Sequence, residues 1–588
     1  MKQYYIPVIF VIVLVFNLFN NSLNAESSDT LHINWQPHQG IQLSSGHTTF
    51  LPYFEESITK YETAGLPWQM IPVRTNTDQQ PSNIRIIEIN TDTIYDFSSL
   101  SDLDFLGTEY QIRKDYIDSQ FFISVLPIKK HGNAIVRLLS YQIQNEWIEA
   151  RHDLVDETPD WTSESVLASG HWLKIGTTHE GVYKMTYSDL QQAGVNPAAF
   201  NPTNFALFGN GNLMLPEENR YERPDDLIEN AIAVYGQDDG SFDSEDYLLF
   251  YSPGPVNWRY NVFTGRYDHK VNYYSDTCYF FFTPDYSLPG KRIQIQEEAQ
   301  GNASQIINEF PDFAYHELDH ENLILSGKEW YGEMLSTDNP SASILFDFPN
   351  LVKHKPVHLQ IQVAGRSTSE HSFYSVRANG NSLIDSTKIF QLANSNPMYA
   401  RDLNNSVIFN STSDQINIQL DYYANASNSR LWLNYIRLNG RRKLMMTGDP
   451  LAFRLPSTDT LPGTVEMLIS GIENQLIWDI STPEQVKQQD FRLQSATAKF
   501  KINTNKEKRW YAFKIDQSLN PESIKTIENQ NLHQIAQAEM LIITHPLFKN
   551  QADELAAMHL EIDNLDVKVV DVMKIYNEFG GGNQDTTA

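Results

Sequence analysis

The most literal chemical signature in this sequence is His316-Glu317-Leu318-Asp319-His320, a match to the H-E-x-x-H zinc pattern. On a helix it would set His316 and His320 on one face as ligands, with Glu317 as general base. The flanks oppose that reading. Pro311 lies just upstream, NEFPDFAY and ENLILSG lack a long amphipathic period, and no third ligand follows at a recognised spacing. A site without metal is expected. A second grouping is acidic: Asp238, Asp239, Asp243, Glu245 and Asp246 crowd Gly240. Aligning Gly240 with the invariant glycine of an EF-hand loop puts Tyr235 and Gln237 where the first and third calcium ligands belong. Asp246 then stands where a bidentate Glu is needed, so an acidic turn before the strand Tyr247–Tyr251 is expected instead. The third candidate is Cys278, the single cysteine, set in DTCYFFF. A nucleophilic thiolate needs a histidine or a helix N-terminus to lower its pKa, and an aromatic strand supplies neither. An inert strand cysteine is expected.

The elements that would position chemistry are clearest in the last fifty residues. AEMLIITHP carries the unbroken apolar stretch Met540–Ile543, as in a buried parallel strand. NQADELAAMHLEI places Ala552, Leu555, Ala556 and His559 on one helical face. VKVVDVMKI reads as a second strand, and YNEFGGGNQDTTA turns away from it. Together they make one β-α-β unit, with the right-handed crossover such units take.

Everything before that unit reads as β. Residues 26–165 form short strands such as Ile84–Asn90, Phe121–Ile128 and Ala134–Gln144, closed by an acidic linker, His152–Ser165. Residues 166–325 form a second β-rich domain, with strands Trp172–Ile175, Val182–Thr186 and Phe205–Phe208. Ser188 is placed as N-cap of a short helix ending at Gly194. Residues 326–450 show period-two alternation at Val357, Leu359, Ile361 and Val363, and again at Ile416, Ile418, Leu420 and Tyr422. That is a sandwich sheet with one wet face, and Gly380 and Gly440 are read as its turns. Residues 451–537 add strands at Leu476–Val486 and Arg509–Ile515, then a polar, helix-like connector, Pro521–Ala536. The fold class is therefore mainly β and multidomain, followed by the first β-α-β unit of an α/β domain at 538–588.

At 588 residues, with 41% hydrophobic and 12% aromatic side chains, the chain can fill several ordinary cores. Its net charge of −29 repels phosphate backbones, so no nucleic-acid partner is expected. One cysteine allows no intrachain disulfide, which still permits an extracellular home for domains of this size. Residues 1–25 open with Lys2, run apolar from Ile6 to Phe16 and end in a small-residue site at Ala25. That is the pattern of a secretory signal peptide, and the apolar run is shorter than the roughly 20 residues a membrane span needs.

Two stretches carry a family resemblance. AEMLIITHPLF…ADELAAMH…VKVVDVMKIYNEFGGGNQD resembles the start of the catalytic domain in gingipain-type cysteine peptidases, which have a caspase-like α/β fold. LKIGTTHEGVYKMTYSDLQQAGV, FALFGNG, DDGSFDSEDYLLFY, SGKEWYGEM and IWDISTP are similar to the sortase branch of that family, from the type IX secretion system. The resemblance implies a secreted peptidase or transpeptidase at the outer-membrane cell surface. Its substrates would be exported proteins carrying C-terminal sorting domains, its acceptor a surface glycolipid, and its neighbours outer-membrane secretion components. A cysteine thiolate would attack, histidine would serve as base and then acid, and no cofactor is implied.

In that family the catalytic His and Cys lie on later strands of the domain. None of the residues up to Ala588 therefore takes a catalytic role, His545 and His559 included, and Asp585 falls where the next helix would be capped. Ala588 reads as a truncation, and the 588 residues alone as catalytically inactive. Two other readings stay open: a non-enzymatic secreted binding or scaffold protein of several β-domains, and a zinc peptidase acting through HELDH.

Overall fold

The computed structural model describes residues 161–588 except 212–213, 218–222, 262–263, 326–327, 393–397, 457–462 and 505. Before 161 it describes 30–42, 48–54, 58–59, 67–72, 79–94, 109–117, 120–131 and 134–149. The signal peptide and residues 152–160 of the acidic linker lie outside the described residues. The architecture is a series of β-sheets with few helices, closed by a β-α-β unit.

In the first region the long strands Gln79–Ile94 and Ala134–Glu149 pair antiparallel, flanked by Leu31–His32 and Ile128–His131. A second sheet runs Ile58–Thr59, Pro67–Pro72, Gln120–Leu126, Gln111–Ile117. Ile71, Ile123, Val125, Leu138 and Tyr141 close its core.

The next sheet has the order Glu229–Asn230, Ala206–Phe208, Cys278–Thr283, Trp172–Thr177, Ser523–Ile527, all antiparallel. Leu173, Ile175, Phe280 and Phe282 point into a core shared with Tyr183, Met185 and Phe250 of a three-stranded sheet. The last strand of the first sheet corrects the sequence reading. Ser523–Ile527 lies inside the stretch expected to be a helical connector, yet it pairs residue by residue with Trp172–Thr177. The short helix Tyr187–Gln192 starts two residues earlier than expected. Its N-cap is Thr186, not Ser188, with Thr186 and Asp189 in a reciprocal capping box and Gly194 at φ +89° beyond the end.

The sandwich follows. One sheet runs Glu309–Glu317, Arg430–Lys443, Val357–Arg366, Arg401–Phe409; the other runs Ser341–Asp347, Gln415–Tyr423, Ser372–Ala378, Asn381–Ile389. Leu359 sits opposite Leu438 and Ile361 opposite Ile436, so alternate apolar residues meet in one enclosed layer. Gly380 is at a turn with φ +83°, as expected, but Gly440 lies within the strand Arg430–Lys443. A Cβ there would come 3.3 Å from Leu351 Cδ1, so glycine at 440 accommodates packing and not a turn.

A further pair of sheets encloses Phe453, Met467, Ile477, Phe500 and Trp510. Strand pairing crosses the boundaries drawn on sequence at 325 and 450. Gln294–Gln296 joins Lys487–Gln489 in parallel, Gln305–Ile307 joins Thr464–Ser470, and Glu309–Glu317 joins the sandwich.

Candidate functional site

In the closing unit, Met540–Thr544 and Val567–Asp571 pair in parallel, linked by the helix Lys549–Asp563. The second strand ends sooner than its apolar run suggested. Asp571 accepts from Met573 N at 2.8 Å and caps the helix Val572–Glu578, so Met573 and Ile575 are helical. That short helix aims Asn577 at Lys174 of the strand Trp172–Thr177 and Glu578 at the segment 530–533 that follows Ser523–Ile527.

Glu578 is fully buried. Its Oε1 accepts from Gln530 Nε2 at 2.9 Å and Leu532 N at 2.8 Å, and its Oε2 from Leu532 N at 2.9 Å and His533 Nδ1 at 2.8 Å. His533 Nε2 lies 3.1 Å from the Asp225 carbonyl oxygen and 3.6 Å from Asp225 Oδ1. Both ring nitrogens therefore face acceptors, and only a doubly protonated imidazolium can donate from each. Burial opposes that charge, but the bonds to Glu578 and the Asp225 carbonyl outweigh it and hold the His533 pKa above its ordinary value. Asp226, beside them, accepts from Val166 N at 2.7 Å and Ser165 Oγ at 3.2 Å, and burial raises its carboxyl.

A second fastening lies one helix position away. Lys174, on the face of Trp172–Thr177 opposite Leu173 and Ile175, donates to Asn577 Oδ1 at 2.9 Å and Gly582 O at 2.8 Å. Its ammonium stands 4.2 Å from the Tyr279 ring centroid. Burial, with Lys525 alongside, pulls the Lys174 pKa down to about 8. Gly582 has φ +93°, and a Cβ there would come 2.6 Å from Tyr279 Cβ, so the close approach requires glycine. Asp585 accepts from Thr587 N at 2.7 Å, the bond an N-cap side chain makes, and from Leu215 N at 2.8 Å, which ties the closing segment to the preceding β-domain. Between the two parts lies a cleft of about 560 Å³, lined among others by Lys174, Tyr273, Tyr274, Tyr279, Met573 and Gln584.

None of these side chains is a free nucleophile. Every oxygen of Glu578 is saturated by donors, and Lys174 is held by two acceptors and a ring. The arrangement can position the closing unit on the β-domain. Sequence alone does not show this pair, because His533 and Glu578 stand 45 positions apart and, although Glu578 lies in the family stretch, no local pattern links it to His533. The usable signal is a lone Glu578 separated by Phe579 from the run Gly580–Gly582.

The sequence-selected candidates are scattered. Cys278 is buried in Cys278–Thr283, close to Thr177 and Ser252, and burial pushes its thiol up to about 12. His316 and Glu317 end a strand, not a helix. His316 Nε2 is 2.7 Å from Glu333 Oε1, Glu317 Oε2 is 2.6 Å from His269 Nε2, and the His320 backbone N–H donates to Tyr331 O. Neighbouring strand residues point to opposite faces, so this motif lacks the helical geometry a zincin needs. The acidic stretch is a turn: Asp239 accepts from Ser241 N and Asp246 from Asp243 N. His545 accepts from Leu547 N at 3.3 Å, and His559 pairs with Asp563 at 2.7 Å along its own helix.

Residues 533–588 match the sequence model of Peptidase family C25. The solved structure of dimeric latent PorU from Porphyromonas gingivalis superposes with a TM-score of 0.63 at 25% identity, over 72% of this chain. The chain is PorU-like, with a gingipain-type segment at its C-terminal side. It spans 39% of the length of that PorU chain. A carbohydrate-binding CBM36-1 domain of a xylanase from the hindgut metagenome of Trinervitermes trinervoides matches 22% of this chain and 96% of its own, at 10% identity. Its TM-score of 0.15 gives that likeness no weight. No curated protein matches. The start of the family match coincides with His533, so the imidazolium–carboxylate pair joins the first residue of the C25 segment to the helix Val572–Glu578 within it.

Proposed function

We propose that this chain is the forward part of a cell-surface cysteine peptidase or transpeptidase that removes C-terminal sorting domains from exported proteins. The observation that carries the reading is the joint match: a PorU-like arrangement of β-domains leads directly into a C25 segment. The β-domains serve as a platform, and Glu578, His533 and Lys174 seat the peptidase segment on it. Acyl transfer to an amine on a surface glycolipid would make the enzyme a sortase, working beside outer-membrane secretion components. A signal peptide at 1–25 would deliver it. Among the described residues no helix is long and apolar enough to cross a membrane, which leaves β-barrels unaddressed.

The attacking thiolate and its histidine are assigned outside residues 1–588. Cys278 is enclosed within the β-platform with a raised pKa, the opposite of an activated nucleophile. The test is cleavage of a sorting-domain substrate by the purified 588-residue protein and by a protein extended beyond Ala588. The reading expects no cleavage by the former and cleavage by the latter, unaffected by Cys278→Ala. Loss of activity on Cys278→Ala in a folded protein would overturn the assignment.

A further inference from the structure

A pocket of about 170 Å³ opens between the hairpin Val256–Asn261/Arg266–Val271 and the sandwich strands Val357–Arg366 and Arg430–Lys443. Two guanidiniums, Arg266 and Arg437, line it against one carboxylate, Asp268. Arg437 is answered: its Nη2 lies 2.8 Å from Asp268 Oδ1, and it also donates to Gln360. Arg266 is not. Its Nη1 reaches Ser406 Oγ at 3.3 Å, while its Nε, shut away from solvent, meets no acceptor among the described residues. The enclosed Thr264 Oγ1 is likewise without a partner there. His358 adds no charge, because burial, with Arg266 beside it, drives its imidazole well below the ordinary value. Burial also pulls the Arg266 guanidinium down to about 10, Asp268 resisting that shift and Arg437 adding to it.

The walls thus carry two positive charges and one negative, with two unmatched donors, one of them on the surplus cation. Arg266 is half-buried, with its Nε enclosed and its Nη1 contact to Ser406 at the exposed end, so its surplus charge lacks a counter-charge of its own, and water would satisfy the donors without neutralising it. A guanidinium edge with an adjacent hydroxyl suits the oxygens of an oxyanion, which accept charge-assisted bonds in parallel. We propose that this pocket binds a small oxyanion, phosphate or a carboxylate, held by Arg266 and Thr264 against the sandwich wall. Bound there, it bridges two bodies already joined beside it, where Tyr267 N donates to Asn439 Oδ1 at 2.7 Å and Asn439 Nδ2 to Tyr267 O at 3.1 Å. The anion clamps the hairpin onto the sandwich.

The test is calorimetric titration of the 588-residue protein with inorganic phosphate and, separately, acetate, against chloride at matched ionic strength. A saturable single site for phosphate is expected, lost in Arg266→Met and weakened about tenfold in Thr264→Val, the loss of one hydrogen bond to an anion. Saturation by acetate alone would assign the site to carboxylates. Should Arg266→Met fail to fold, Thr264→Val decides, because the backbone bond from Thr264 N to Asn261 Oδ1 survives that change. No saturable heat with either anion, or equal binding by wild type and Thr264→Val, leaves an adventitious ion only and overturns the proposal.

Discussion

Leu359, Ile361 and Val363 of the sandwich and Leu541 and Ile543 of the closing unit look alike as letters. The first three are fully enclosed, whereas Leu541 and Ile543 are 57% and 59% exposed. The difference is in what surrounds each strand. Val357–Arg366 has a hydrogen-bonded neighbour on both edges and a second sheet against its apolar face. Met540–Thr544 has one neighbour, Val567–Asp571, and its linking helix covers a single face. Hydrophobic burial holds the sandwich together, while buried polar groups at Glu578, His533 and Lys174 hold the closing unit to its platform. An apolar strand is thus a necessary condition for a core, and its partners decide whether the burial occurs.

The largest expected effect strikes the polar fastening. Glu578→Ala leaves the His533 imidazolium and the Leu532 N–H buried without their acceptor, which should weaken seating of the closing unit by about 3–5 kcal/mol. Hydrogen exchange at Leu532 and proteolysis between 528 and 539 report it, and an unchanged pattern would remove the fastening from the comparison. The same contact should respond to pH. The His533 pKa is raised in the folded state, so its contribution is complete below the ordinary value of 6.5 and is lost as pH rises through the raised one. Seating should therefore loosen on the alkaline side in wild type and lose that dependence in His533→Gln.

The sandwich should fail through volume, not charge. Ile361→Ala opens a cavity in a fully enclosed layer and should cost about 2–5 kcal/mol, read from the denaturant midpoint of the β-domains. At Thr186 the loss is smaller. Alanine there removes the side-chain half of a capping box, leaving the backbone bond from residue 186 to Asp189 Oδ2, and should cost about 1 kcal/mol, whereas Ser188→Ala should be neutral apart from one side-chain bond from Gln192.

Much of the sandwich was legible because period-two alternation and burial coincide along Val357–Arg366 and Gln415–Tyr423. Elsewhere, local letters misled for physical reasons. Ser523–Ile527 looked like connector because its strand identity comes from pairing with Trp172–Thr177, some 350 positions earlier. The apolar run after Asn564 continues to Ile575, but Asp571, a capping residue in plain sight, ends the strand. Gly440 looked like a turn, since the close approach of Leu351 that it accommodates is a tertiary fact. The fastening at Glu578 was invisible for the same reason, although the family stretch that contains it was recognisable letter by letter.

The smallest effect is the most discriminating. Ile543→Ser replaces an exposed side chain, so in the 588-residue protein it should alter stability by no more than about 0.5 kcal/mol. Under the proposed function, a protein extended beyond Ala588 supplies further strands and helices of the C25 domain, and the same residue would then pack between layers. There the substitution should cost about 2–4 kcal/mol, from lost burial together with a buried hydroxyl. Thermal unfolding of both proteins, each with and without the change, gives the four values required. A large cost in both would mean that Ile543 is already covered in the shorter protein, for instance by a second copy, which dilution would reveal. A negligible cost in both would mean that the apolar face is a surface in its own right, and the contrast with Ile361 would then be intrinsic to the two regions.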